Sequence, residues 1–127
     1  MSTTPINVLL VEDDAMLLEM YKMKFETEGF HVETGTNGVD GLRVLEEKGA
    51  PDILLLDVIM PQMDGFTMLK KVKEDERFKN FPVILLTNLG QEHDVKRGME
   101  LGATDYLVKA NLTPQQVVDK VRGIVKK

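Results

Sequence analysis

Three acids, a hydroxyl and an amine stand at the ends of apolar runs in this chain. Residues 6–11 stop at Glu12 and Asp13, 53–56 at Asp57, 83–86 at Thr87, and 106–108 at Lys109. If the four runs are parallel strands, their carboxyl ends gather all five groups where open α/β sheets bind ligands, near the point of strand-order reversal. Acids brought together there repel: two unit charges ~4 Å apart interact by about 4 kcal/mol at an effective dielectric near 20. The cluster therefore calls for a cation. Mg2+ takes carboxylate and water oxygens in octahedral array and is commonly completed by phosphate oxygens, while Lys109 offers a second, fixed positive charge. Asp57 could then attack phosphorus and become an aspartyl phosphate. Thr87 could donate its hydroxyl to a phosphoryl oxygen, completing the positioning and charge neutralisation that phosphoryl transfer needs. A carboxylate nucleophile needs no histidine base, and His31 and His93 are expected to be incidental surface residues.

The elements that would position these groups alternate between short continuous apolar runs and longer amphipathic stretches, the pattern of βα units around a parallel sheet. Five units fit. After strand 6–11, Leu17, Tyr21 and Phe25 recur at near-helical spacing to about Glu28, and Gly29 supplies a stop. Residues 31–34 alternate weakly, as an edge strand would, and Val39, Leu42 and Leu45 mark a second helix closed near Gly49. The run 53–56 reads as a strand buried on both faces, followed by a turn and a helix marked by Phe66, Leu69 and Val72, with Asp64 as its N-cap. After 83–86 comes a weakly specified helix over 91–101, with Val95, Met99 and Leu101 as apolar markers and Gly98 in its interior, where glycine costs about 1 kcal/mol relative to alanine. Residues 103–108 give the fifth strand. Val117, Val121 and Ile124, with Val118 and Val125, stripe a last helix whose N-cap and first position suit Thr113 and Pro114.

With 127 residues, 43% hydrophobic and 29% charged, the chain is long enough for one packed core and too short for two ordinary domains. A single domain over 1–127 is expected. The lack of cysteine removes disulfides, thiolate ligands and cysteine nucleophiles. No apolar run approaches the roughly 20 residues that span a bilayer, and residues 1–5 are short and polar, unlike a signal peptide, so a soluble cytoplasmic protein is expected. The net charge of -5 argues against a broad nucleic-acid surface. Lys70, Lys71 and Lys73, and Lys120, Arg122, Lys126 and Lys127, read as solvated faces or last turns of helices. Met16, Met20, Met23, Met60, Met63, Met68 and Met99 read as core filler or adaptable surface.

The ordered set Glu12 and Asp13, Asp57, Thr87, Tyr106 and Lys109, with the loop Asp57-Val58-Ile59-Met60-Pro61-Gln62-Met63-Asp64-Gly65, resembles the receiver domain of bacterial two-component response regulators. The resemblance covers essentially the whole chain. It implies a doubly wound (βα)5, flavodoxin-like three-layer α/β sandwich with parallel strand order 2-1-3-4-5. It implies phosphorylation of Asp57 from the phosphohistidine of a sensor histidine kinase or phosphotransfer protein, with small acyl phosphates as substitutes. Mg2+ would be held by Asp13, Asp57 and the backbone carbonyl of Ile59, with Glu12 acting through water. Asp14 is expected to cap the first helix. Thr87 moving toward the phosphoryl group would let the Tyr106 ring turn inward and change the surface of helix four, strand five and helix five, where a downstream protein docks. The domain would act as a monomer or a phosphorylation-dependent dimer, with weak autophosphotransfer and autophosphatase activity. No helix-turn-helix or cyclase segment is present.

Three positions depart from the family's common pattern. Ala110 follows Lys109 where proline is usual, Asn88 stands where a small alanine is frequent, and Ile59 and Leu89 flank the expected site with apolar groups unable to orient water. Slow self-hydrolysis of the phosphoryl group is expected. Three other functions are weighed. A Mg2+-dependent phosphohydrolase with an aspartate nucleophile would want an acid two residues after Asp57, where Ile59 stands. A flavin-phosphate binder would want a Ser/Thr/Gly-rich first loop, where Glu12-Asp13-Asp14 repels phosphate. A docking domain that is never phosphorylated keeps the fold without the chemistry.

Overall fold

In the computed structural model, which describes residues 4–125, the chain alternates strand and helix: β1 (Asn7–Val11), α1 (Ala15–Thr27), β2 (His31–Gly35), α2 (Gly38–Lys48), β3 (Ile53–Leu56), α3 (Gly65–Glu74), β4 (Val83–Thr87), α4 (Glu92–Glu100), β5 (Asp105–Val108) and α5 (Pro114–Ile124). The strands form one parallel sheet in the order β2-β1-β3-β4-β5, as the resemblance implies. β2 is an edge, which explains its weak alternation, whereas every residue of β3 and β4 is buried.

Successive strand residues point to opposite faces, and this splits the core in two. Leu9, Val11, Leu54, Leu56, Val83 and Leu85 pack with α2 and α3 through Val44, Leu45, Phe66, Met68, Leu69 and Val72. Val8, Leu10, Ile53, Leu55, Ile84 and Leu86 pack on the other face with α1 and α5 through Tyr21, Phe25, Val117, Val118 and Val121. Each such side chain contributes about 1.5–3 kcal/mol on burial. Together the two layers fix the strand ends rigidly.

The helix boundaries follow local chemistry. Asp14 accepts from the amides of Met16 and Leu17, Asp64 from Thr67, and Thr113 from Gln116 in a reciprocal capping box. Gly29 and Gly49, at φ 93° and 83°, end the first two helices. Two helix markers fall elsewhere than the apolar spacing suggests. Val39 is exposed, and α2 buries Gly38, Gly41, Val44 and Leu45 instead. In α4 Met99 is exposed while Asp94 and Gly98 are buried. Of the basic residues, Lys73 donates to the carbonyl of Lys79, and Arg122 bonds Glu28 and stacks on Phe30; Lys126 and Lys127 lie outside the described residues, as do residues 1–3. Among the described residues, no helix is long and apolar enough to cross a membrane.

Candidate functional site

Sheet register brings the acids together. Val11 is paired with Leu56, so Glu12 and Asp57 leave adjacent strands side by side, and the amide of Asp57 donates to the Val11 carbonyl at 3.0 Å. Thr87 is paired with Val108, so Lys109 follows directly beyond the sheet on the far side. Its ammonium donates to the carboxylate of Glu12 and, at 3.1 Å, to Oδ2 of Asp57. Glu12 is 2% exposed and Asp57 8%, while Asp13 faces solvent. One carboxylate oxygen from each of Glu12, Asp13 and Asp57 lies within 4.8 Å of the others.

The electrostatics fit a cation. Burial drives the Glu12 carboxyl up to about 7, with the Asp57 carboxyl beside it adding to the rise and Lys109 opposing it. The Lys109 amine is itself raised, because its two carboxylate partners outweigh the burial that disfavours its charge. One ammonium thus serves two buried carboxylates, and a third acid stands at the rim. A hard, oxygen-seeking divalent cation suits this donor set.

Asp57 is held from below by its own loop. Its Oδ1 accepts the Val58 amide at 2.7 Å, and the Gly65 amide donates to the Val58 carbonyl at 2.8 Å. A Cβ at Gly65 would sit 2.1 Å from the Asp57 carbonyl oxygen, so only glycine lets the start of α3 approach this closely. That spacing role was not legible from the loop's composition. Ile59 follows with a 62% exposed side chain.

Thr87 and Tyr106 meet at the main chain of one residue, Leu89, on the two successive peptide groups that flank it. Thr87 Oγ1 accepts the Leu89 amide at 3.2 Å, while the Tyr106 hydroxyl donates to the Leu89 carbonyl. The Tyr106 ring is already buried, lying against Gly98 of α4, where a Cβ would come 3.0 Å from the ring. Burial, with Asp94 and Asp57 nearby, pushes its phenol up to about 12. Oδ2 of Asp94 is buried without a hydrogen-bond partner. Nothing in the sequence separates that acid from an ordinary first-turn carboxylate.

The departures also resolve structurally. Lys109–Asn111 form one 3₁₀ turn, every peptide bond among the described residues is trans, and the Ala110 amide donates to Oδ1 of Asn88 at 2.9 Å. His31 pairs with Glu33 at the edge strand and His93 with Asp94 at the surface, both remote from the acidic cluster by element.

A parallel five-stranded α/β sandwich with buried acids, a hydroxyl and a lysine at its strand ends defines a receiver-type signalling domain. The chain belongs to the response regulator receiver domain family, whose model matches residues 8–122. It is 37% identical over 120 residues to the transcriptional regulatory protein CpxR homolog of Haemophilus influenzae, covering 94% of this chain and 50% of that protein. It is 32% identical over 120 residues to the DNA-binding dual master transcriptional regulator RpaA of Synechocystis, covering 94% and 49%. The chain thus spans about half the length of these curated relatives. Among solved structures, a putative response regulator from Chloroflexus aurantiacus superposes with TM-score 0.88 at 32% identity, covering 98% of this chain and 100% of that one. Vibrio cholerae CheY4 superposes with TM-score 0.88 at 27% identity, covering 95% and 99%. The family's function is to accept a phosphoryl group.

Proposed function

We propose that Asp57 is the phosphoacceptor, with Lys109 and Thr87 as its catalytic partners, and that a sensor histidine kinase or phosphotransfer protein of a bacterial cytoplasm is the donor. The observation that carries this is Lys109 bridging Glu12 and Asp57 beside Asp13. An Asp57 oxygen attacks the phosphorus of the donor phosphohistidine; the P–N bond breaks and its electron pair leaves on the imidazole. Lys109 holds the attacking carboxylate in place and meets the added charge, and Thr87 exchanges its Leu89 contact for a phosphoryl oxygen. Glu12, Asp13, Asp57 and the Ile59 carbonyl would hold Mg2+, which supplies charge neutralisation and a template for the phosphoryl oxygens. Acetyl phosphate with Mg2+ should label the chain, and Asp57→Asn should abolish labelling. Label retained in that variant would defeat the assignment.

Output follows from Leu89. Thr87 withdrawing its acceptor frees the Leu89 amide, and the carbonyl of the same residue holds Tyr106, so the α4 and β5 surface is biased for a downstream protein or for a second copy of the chain. In this reading Tyr106 is inward before phosphorylation, and phosphorylation strengthens a disposition already present.

A further inference from the structure

Val108, opposite Thr87, is the last residue of β5 held by the sheet, so the main chain of Lys109 lies beyond the ladder. Its amine must nonetheless stay between two buried carboxylates. A lysine stem loses considerable rotamer freedom when its amine is fixed, and a loosely held backbone would add to what must be fixed. The 3₁₀ turn is closed by the Leu112 amide donating to the Lys109 carbonyl at 3.2 Å, but the first amides of such a turn have no acceptor within it. The Ala110 amide finds one in Oδ1 of Asn88 at 2.9 Å, across 22 residues of sequence. Because the donor is a peptide N–H, the acceptor must be the amide oxygen, which fixes how the Asn88 side chain is turned. Asn88 is exposed and so is not retained for packing. It directly follows Thr87, and Ala110 directly follows Lys109, so this one bond ties together the carriers of the hydroxyl and the amine. Proline at 110 would have no hydrogen to give, so the two residues work as a matched pair.

Resting on the phosphoacceptor reading above, we propose that Asn88 is a positioning residue that aligns Lys109 on the phosphoryl group through the Ala110 main chain. Its loss should be felt by the phosphoryl group and not by the metal, whose ligands come from β1 and β3. Beryllofluoride serves as the phosphoryl stand-in, titrated at saturating Mg2+, with Mg2+ alone titrated separately. Asn88→Ala should weaken beryllofluoride binding about three- to tenfold, the range one hydrogen bond commands. It should leave Mg2+ affinity within about twofold and speed hydrogen exchange at the Ala110 amide to a similar degree. In an Ala110→Pro background, Asn88→Ala should have no further effect. Unchanged beryllofluoride affinity, equal weakening of both ligands, or additive losses in the double variant would overturn the role. Lys109→Ala separates the two levels: if it too binds beryllofluoride normally, the phosphoacceptor reading fails with it, whereas its loss beside a silent Asn88→Ala sinks the positioning role alone.

Discussion

If Asp57 is the phosphoacceptor proposed above, its apolar flanks favour a long-lived product. Two residues beyond Asp57 stands Ile59, exposed, and two beyond Thr87 stands Leu89, half-buried, both apolar. Neither can hold a water in line. Ile59→Asn supplies a donor and acceptor at that rim, and the phosphorylated domain should then lose its label several-fold faster, about 1 kcal/mol of barrier per fivefold change. Decay of radiolabel after donor removal measures this; an unchanged lifetime would mean that access, and not water orientation, limits hydrolysis. At this scale the sequence was most legible where a polar residue interrupts an apolar run. Glu12, Asp57, Thr87 and Lys109 announced themselves that way. The Leu89 relay did not, because main-chain hydrogen bonds leave no mark in residue type, and Asp94 did not, because an acid in a first helical turn is unremarkable.

Helix α4 is the element least secured by its own residues. Its N-cap, Gln91, makes no side-chain bond to the helix, and Gly98 interrupts it. Gln91→Asp should therefore stabilise the domain by about 1 kcal/mol, read from chemical denaturation, since a capping oxygen satisfies an otherwise open amide. Gly98 is different. Its apparent cost in helix propensity is the condition for Tyr106 to lie inward, because an added Cβ would come 2.6 Å from Leu85 and 3.0 Å from the Tyr106 ring. Gly98→Ala should gain up to about 1 kcal/mol of propensity and lose more to overlap, displacing the ring; greater solvent exposure of the phenol by NMR or absorbance would show it. The same invisibility of glycine explains α2. Apolar spacing pointed to Val39, yet the helix packs closely through Gly38, against Met63 of the loop after β3, and Gly41, against Val11 and Met68, close-approach residues that hydrophobic periodicity does not count. The central strands β3 and β4, by contrast, were legible almost to the residue, since burial on both faces makes them continuously apolar, whereas the edge strand β5 starts two residues later than expected.

Across the whole molecule, the acidic cluster couples folding to pH and to metal. The Glu12 carboxyl rises from 4.5 to about 7 on folding, chiefly through burial. Between those values the folded chain keeps a proton that the unfolded chain has released, so metal-free stability falls as pH rises through that window, on the order of 3 kcal/mol. On the reading proposed above, Mg2+ would bind only the ionised cluster and displace the proton. Its apparent affinity should climb between about pH 6 and 7.5 and then level. Denaturation with EDTA and with excess Mg2+ at pH 5.5 and pH 7.5 tests both statements: the metal should stabilise strongly at the higher pH and weakly at the lower. Equal stabilisation at both would place the proton elsewhere. Topology was readable from alternating runs, while the strand order came from family resemblance.

One junction would escape an ordinary alanine scan. The donor taken by Thr87 and the acceptor taken by Tyr106 both belong to the main chain at Leu89, so trimming that side chain leaves the relay whole and would falsely mark the position as dispensable. At Leu89 itself only an edit of the main chain, such as an amide-to-ester replacement that removes its N–H, can cut one arm and spare the other.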